Sequence, residues 1–292
     1  MVVNVFTTEI FVIGYQKMEN KVTTNHLEKM KQKGQKITAL TAYDYPLAAL
    51  VDSVGVDLVL VGDSLGMTFM GDDNTLKVTI EDVAYHTRAV RKGIKRALLV
   101  ADMPFMSYHV SEEKALENAA KLIREGAEAV KLEGRDGITE LIKSMLAGGI
   151  PVMGHIGLTP QSIHKLGGFK IQGREEESAK KLEDDALALE NCGIFALVLE
   201  CVPVDVAQKI TEKLSIPTIG IGAGQYCDGQ IMVTDDLLGL QNNFKPKFVK
   251  QYAQLSSTIS EAVAEYASEV KEGIFPDNSH SYGPSPRHLK AM

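Results

Sequence analysis

From about residue 37 to residue 271 the chain alternates short apolar, often β-branched runs with longer segments whose apolar positions recur at helical spacing. That alternation is the pattern of repeated βα units, which build a parallel sheet covered by helices. Eight strands are predicted: Ile37–Tyr43, Leu58–Gly62, Ala97–Ala101, Ala129–Glu133, Pro151–His155, Phe195–Glu200, Pro217–Ile221 and Ile231–Thr234. Helix ends are legible between them. Ser111, followed by Glu112 and Glu113, opens a helix that Gly126 stops, with Leu116, Ala119, Ala120 and Ile123 on its inner face. Thr79 and Asp82 have capping-box spacing, Glu175–Asn191 supplies a further helix, and Lys247–Glu272 a long closing one. The connection after the seventh strand is too short for a full helix.

Eight countable strands, with polar residues gathered after the second to the sixth, favour a closed (β/α)8 TIM barrel over an open doubly wound sheet. The 292 residues suffice for one such domain, which typically needs about 250. Residues 23–275 are expected to form the single catalytic barrel, 276–292 a polar C-terminal tail, and 1–22 an N-terminal extension, either loose or an artefact of the start site. Ile156–Arg174 breaks the rhythm. It separates a strand from its helix, carries Gly167, Gly168 and Gly173, and has little periodicity, as lids and binding loops do.

Composition narrows the classes. With 45% hydrophobic and 24% charged residues the chain supports a sizeable core without a membrane segment. A formal charge of -7 and no basic tract argue against a nucleic-acid partner. Cys192, Cys201 and Cys227 form no C-x-x-C pair and leave an odd thiol, which suits a reducing compartment, hence the cytoplasm. Met1–Lys17 is partly apolar but lacks a basic start and a small-residue cleavage site, and Glu9 interrupts it, so it does not read as a signal peptide.

Candidate chemistry collects at the strand ends: Asp63 and Ser64 after the second strand, Asp102 after the third, Lys131 and Glu133 on the fourth, His155 on the fifth and Glu200 on the sixth. In a parallel barrel these ends converge on one mouth, where closely placed carboxylates repel unless a cation sits among them. Asp63, Asp102 and Glu133 are oxygen donors of the kind Mg²⁺ prefers. With no cysteine cluster and a lone imidazole, Zn²⁺ is disfavoured. Lys131 and Glu133, two apart on a strand, face the same side. They form either a catalytic pair or a structural salt bridge. His155 either donates to a bound oxyanion or is a satisfied structural residue. Glu200 ends an apolar strand, where partial desolvation strengthens a base. Any single acid at a strand end is more often a cap or a surface residue, so co-location carries the reading. The glycine-rich run Ile219–Gly224 either cradles a phosphate or permits close backbone packing.

Several longer motifs occur in order: Thr41-Ala42-Tyr43-Asp44-Tyr45, Val61-Gly62-Asp63-Ser64-Leu65-Gly66, Ala101-Asp102-Met103-Pro104-Phe105, Val130-Lys131-Leu132-Glu133-Gly134, Gly154-His155-Ile156-Gly157-Leu158-Thr159-Pro160-Gln161 and Leu199-Glu200-Cys201-Val202-Pro203. Together they resemble the ketopantoate hydroxymethyltransferase family over about Thr38–Gly273, with Asp228-Gly229-Gln230 continuing the pattern. The resemblance implies a barrel of the phosphoenolpyruvate mutase/isocitrate lyase type. It also implies transfer of a hydroxymethyl group from 5,10-methylenetetrahydrofolate to 3-methyl-2-oxobutanoate through a Mg-chelated enolate, giving 2-dehydropantoate for pantothenate synthesis. By the same resemblance Asp63, Asp102 and Glu133 match a site for one Mg²⁺ per subunit. Asp63, Ser64, Asp102 and Lys131 match contacts to the oxo acid, Glu200 the proton acceptor, and His155 a position stabilising substrate or enolate. A homo-oligomer of high order, often a decamer, is implied as well. The rival readings are another Mg-dependent carbon-carbon lyase or mutase on the same barrel, and a non-catalytic phosphate-ligand barrel using Ile219–Gly224.

Overall fold

A computed structural model describes residues 21–240 and 246–283. Most of the predicted N-terminal extension and the end of the predicted tail therefore lie outside the described residues. The chain runs α1 (Thr24–Gln32), β1 (Ile37–Thr41), α2 (Tyr45–Ser53), β2 (Leu58–Val61), α3 (Leu65–Thr68), α4 (Ile80–Gly93), β3 (Leu98–Asp102), α5 (Glu112–Arg124), β4 (Ala129–Glu133) and α6 (Thr139–Ala147). It continues through β5 (Val152–Gly157), α7 (Ile163–Leu166), α8 (Glu176–Asn191), β6 (Ala196–Glu200), α9 (Val204–Lys213), β7 (Thr218–Ile221), β8 (Gly229–Met232), α10 (Thr234–Leu238) and α11 (Leu255–Glu272). The eight strands close in sequence order, all parallel, with β8 pairing back to β1.

Strand parity divides the interior from the wall. Val59, Val61, Leu99, Ala101, Val130, Leu132, Leu197 and Leu199 face outward and pack with helix residues such as Val83, Val90, Leu122 and Leu189. The alternate positions Ile37, Ala39, Leu58, Leu60, Leu98, Val100, Ala129, Met153, Ala196, Val198, Ile219 and Ile231 fill the barrel's lower interior. Helix α1 stops that end, burying Leu27 completely with Val22 and Met30 against the same cluster. Lys21, in the expected extension, donates to Ala97 O and Glu128, so the barrel's contacts include residues before the expected boundary at residue 23.

The capping box at α4 is present: Asp82 N donates to Thr79 Oγ1 and Thr79 N to Asp82 Oδ2. Ser111 Oγ likewise caps α5 by accepting from Lys114 N. The inner face of α5 is turned by one residue from expectation, to Ala115, Asn118, Ala119 and Leu122, leaving Leu116 and Ile123 half-buried. Asn118 Nδ2 donates to Ser107 O at 2.7 Å, which draws that face inward.

The C-terminal part departs further. Thr234 belongs to α10 rather than to the last strand, because its N–H and hydroxyl bond to Thr41 Oγ1 and Thr41 O. The expected helix from Lys247 begins only at Leu255. Val249 is buried, Tyr252 N donates to Leu237 O, and Ala253 O packs on Gly239, so this stretch spends its backbone on α10 instead of on helical turns. Asp277 caps a short turn at Asn278–His280, within the predicted tail.

Gly157, at the end of β5, has φ +96°, and a Cβ there would meet Glu200 O at 2.2 Å. Leu158 N donates to that same oxygen at 2.8 Å, so the close approach fixes where Glu200 sits. Gly157→Ala is expected to destabilise the fold by about 1–3 kcal/mol from backbone strain alone, read as a lower urea midpoint. An unchanged midpoint would contradict this account.

Candidate active site

The inward parity that fills the lower barrel with apolar side chains continues upward into charge. Leu98 and Val100 are followed by Asp102, Ala129 by Lys131 and Glu133, Met153 by His155, and Ala196 and Val198 by Glu200. Register then sets the neighbours: Asp102 pairs with Lys131 across β3 and β4, and Glu133 with His155 across β4 and β5. Asp63 arrives differently, one residue beyond the inward position Gly62. A Cβ at Gly62 would stand 2.9 Å from Ser64 Oγ and 3.5 Å from Asp102 Oδ2. Its absence lets Asp63 N donate to Asp102 Oδ2 at 3.1 Å.

All the residues singled out from sequence meet in one mouth. Lys131 Nζ lies 2.7 Å from Asp102 Oδ1, 3.7 Å from Glu133 Oε1 and 3.3 Å from His155 Nδ1. His155 bridges the far side, with Nδ1 3.2 Å from Glu133 Oε1 and Nε2 3.3 Å from Glu200 Oε2. Asp63, Asp102, Lys131, Glu133 and His155 are all buried, whereas Glu200 is half-buried. Ser64 Oγ stands 2.8 Å from the hydroxyl of Tyr43, a phenol that burial pushes up to about 12. Directly after Glu200, Cys201 adopts φ +49°, a left-handed conformation uncommon for a residue other than glycine, and so turns the chain away at the rim.

The electrostatics follow from burial. Burial first, then Asp102 and Glu133, push the Asp63 carboxyl well above the usual carboxylate range, against the pull of Lys131 and Gln161. Burial also raises Asp102, with Lys131 opposing it. Burial would raise Glu133, but His155 and Lys131 outweigh it and hold that carboxyl low. Burial would lower Lys131, yet Asp102, Glu133 and Asp63 outweigh it and keep the ammonium charged. Three buried acids thus face two cationic groups, and the excess falls on Asp63 and Asp102.

Donor oxygens decide whether a divalent cation fits. Among the described residues no group of three or more His, Cys, Asp or Glu is gathered closely enough to hold a metal ion by itself. Both oxygens of Glu133 are engaged: Oε2 accepts from Gln161 N at 3.0 Å, and Oε1 faces His155 and Lys131. Asp63 has one oxygen taken, by Gln161 Nε2 at 2.9 Å. Asp102 Oδ1 is paired with Lys131 Nζ at 2.7 Å and its Oδ2 accepts from Asp63 N, so a cation would have to share this carboxylate with Lys131. The free oxygen of Asp63 beside the Asp102 carboxylate, completed by water and a chelating ligand, suits Mg²⁺, which keeps several waters and uses one or two carboxylates.

Two residues with no role readable from sequence prove central. Gln161, in the aperiodic segment after β5, and Tyr108, between β3 and α5, are both buried against the acids. A buried glutamine in a loop carries no periodic signal that separates it from an exposed one. The glycine-rich run does not build a phosphate cradle. No helix follows it before β8, and Cβ atoms at Gly220, Gly222 and Gly224 would strike Cys227, Phe248 and Val204, so close packing accounts for it.

The closed parallel barrel is an architecture shared with solved proteins of the phosphoenolpyruvate mutase/isocitrate lyase superfamily. 2,3-Dimethylmalate lyase, a member of that superfamily, aligns with a TM-score of 0.57 at 14% identity over 92% of this chain and 93% of its own. Phosphonopyruvate hydrolase, solved with oxalate and Mg²⁺, aligns with a TM-score of 0.58 at 13% identity over 92% and 94%. At such identities the likeness concerns the fold. Sequence goes further: the chain belongs to the ketopantoate hydroxymethyltransferase family, whose model matches residues 21–278. A 3-methyl-2-oxobutanoate hydroxymethyltransferase from a Thermoanaerobacter species is 55% identical over 274 residues, 94% of this chain and 100% of the relative. One from Syntrophus aciditrophicus is 54% identical over 268 residues, 91% and 98% of the two chains.

His155 supplies a test of the site's electrostatics. Burial and Lys131 both press its imidazole down, but Glu133 and Glu200 hold it up at about 9. A raised value means that the imidazolium's stabilisation is complete below the ordinary 6.5 and fades as pH rises through about 9. NMR titration of protein stripped of divalent cations should place the ring's midpoint near 9. A midpoint near 6.5 would show that the two carboxylates do not hold it.

Proposed function

We propose that the protein is a Mg²⁺-dependent hydroxymethyltransferase that moves the one-carbon unit of 5,10-methylenetetrahydrofolate to 3-methyl-2-oxobutanoate, giving 2-dehydropantoate for pantothenate synthesis. The observation that carries this reading is the match of residues 21–278 to one family, with curated relatives at 52–55% identity that bear a single activity in their names.

Asp63, through its unpaired oxygen, and Asp102, sharing its carboxylate with Lys131, are the residues that would hold Mg²⁺, with Glu133, held by Gln161 and His155, acting through water. When bound, the cation supplies Lewis-acid withdrawal of charge from the ketone and carboxylate of the oxo acid. The rest is the work of side chains. Glu200, at the rim and half-buried, is reachable from solvent yet paired with His155, and is the base for the C3 proton. Lys131, and His155 held charged, balance the negative charge that grows at the oxo acid as that proton leaves. Ser64, fixed by Tyr43, offers a hydroxyl to the substrate beside Asp63. Water adds to the folate methylene and both of its C–N bonds break, releasing tetrahydrofolate and a one-carbon unit at the formaldehyde level that carries the water oxygen. The C3 carbanion forms the new C–C bond to that carbon, and the proton held by Glu200 goes to the resulting alkoxide.

No helix among the described residues is long and apolar enough to cross a membrane, and a cytoplasmic enzyme fits the odd number of unpaired thiols. A homo-oligomer is favoured by α11, which buries none of its residues and exposes Ile259, Val263, Tyr266 and Val270 at helical spacing along one side.

NMR of 3-methyl-2-oxobutanoate in D₂O provides the test. C3 should exchange for deuterium only with Mg²⁺ present, and 2-dehydropantoate should appear only when the folate is added. Exchange without product would favour a carbon-carbon lyase of the same barrel, and binding unaffected by EDTA with no exchange would mean a non-catalytic barrel. Glu200→Gln should slow the exchange by about 10²–10⁴-fold while leaving Mg²⁺ binding and melting temperature unchanged. Wild-type exchange would remove Glu200 from the role of base. Asp102→Asn should weaken Mg²⁺ and oxo acid together, each by about tenfold or more, in calorimetric titrations. Independent effects on the two would contradict a shared site.

A further inference from the structure

Gln161 sits on the short turn Pro160–Ser162 that follows β5 and is 6% exposed. Its carboxamide is fully committed. Nε2 donates to Asp63 Oδ2 at 2.9 Å and to Met103 O at 3.0 Å, while Oε1 accepts from the Tyr108 hydroxyl at 2.9 Å. The orientation is forced, because Met103 O can only accept and must face the nitrogen, leaving the oxygen for Tyr108. With its proton used there, the Tyr108 oxygen accepts from Glu133 N at 3.2 Å. The backbone N–H of Gln161 completes the set by donating to Glu133 Oε2 at 3.0 Å. One residue of the β5 loop therefore grips a carboxylate from the β2 turn and another from β4, 98 and 28 residues away in sequence. Asp63 Oδ1 is left with no hydrogen-bond partner among the described residues.

We infer that Gln161, itself oriented by Tyr108, is a positioning residue that fixes the rotamers of Asp63 and Glu133, presenting Asp63 Oδ1 to a divalent cation and Glu133 Oε1 to Lys131 and His155. The inference rests on the reading that Asp63 is a cation ligand and adds the residue that aims it. A carboxylate free to rotate must be ordered each time it binds, whereas a locked one is ready for the ion, and losing such outer partners typically lowers metal affinity by about 10–100-fold. The aperiodic segment then has two parts. Its first turn is built into the mouth, and the later stretch leaves the side chains of Phe169 and Ile171 exposed.

Calorimetric titration of Mg²⁺ into the full chain, with melts alongside, tests this on Gln161→Leu, Tyr108→Phe and Gly173→Ala. Gln161→Leu should fold and bind Mg²⁺ about 10–100-fold more weakly, with the apparent KM for Mg²⁺ in C3 exchange rising more than kcat falls. Tyr108→Phe, which keeps both amide N–H bonds, should move the same way by about 3–10-fold. Gly173→Ala strains the far end of the same segment, where φ is +82° and a Cβ would meet Leu182, without touching an acid. It should lower the melting temperature and leave Mg²⁺ affinity within about twofold. Were Gln161 only a structural anchor, Gln161→Leu would behave like Gly173→Ala, and that result overturns the inference. Absence of Mg²⁺ binding by the wild type would overturn the cation reading and this inference together, whereas wild-type affinity in both Gln161→Leu and Tyr108→Phe would overturn this inference alone.

Discussion

The structure depends on more negative than positive charge being buried at one end of a closed barrel. Taking an ion out of water costs several kcal/mol even after the surroundings relax. Asp63, Asp102, Lys131, Glu133 and His155 are nonetheless all at or below 6% exposure. Lys131 and His155 offset part of that cost by pairing with Asp102 and Glu133. What they leave uncompensated appears as carboxyls on Asp63 and Asp102 that are hard to ionise. Such a mouth is relieved by a proton in the resting protein, or by a divalent cation that its substrate also grips.

The barrel makes this arrangement possible because its two halves solve different problems. Below, the inward positions from Ile37 to Ile231 form an apolar plug, closed at the base by Leu27. That rigid floor fixes strand register, and register alone brings Asp102 beside Lys131 and Glu133 beside His155. Above, two glycines allow backbone and carboxylate to come close: Gly62 beneath Asp102, and Gly157 against the carbonyl of Glu200. Stability built in the lower half holds the geometry of the upper half in place.

Much of this was legible from residues alone, for a definite reason. Strand ends in a parallel barrel converge, and side chains two apart on a strand share a face, so Asp102, Lys131, Glu133, His155 and Glu200 could be gathered from pattern. Asp63 breaks that parity, and its place depends on the Gly62 turn, which no periodicity reports. Gln161 and Tyr108 stayed hidden because a buried loop amide and a loop phenol resemble exposed ones until tertiary contacts appear. The same gap explains the late start of α11: hydrophobic spacing marks Lys247 onward as helical, but the preceding stretch hydrogen-bonds to α10 instead. The turned face of α5 likewise follows from one side-chain bond, Asn118 to Ser107 O, that spacing cannot show.

Proton release on cation binding tests the charge imbalance most directly. Calorimetry of Mg²⁺ binding, repeated over a range of pH and in buffers of differing ionisation enthalpy, should show proton release that grows as the pH falls, because burial and the neighbouring acids raise the Asp63 carboxyl that the ion displaces a proton from. Mg²⁺ binding with no proton released, or no binding at all, would contradict a mouth whose excess of buried negative charge awaits a cation.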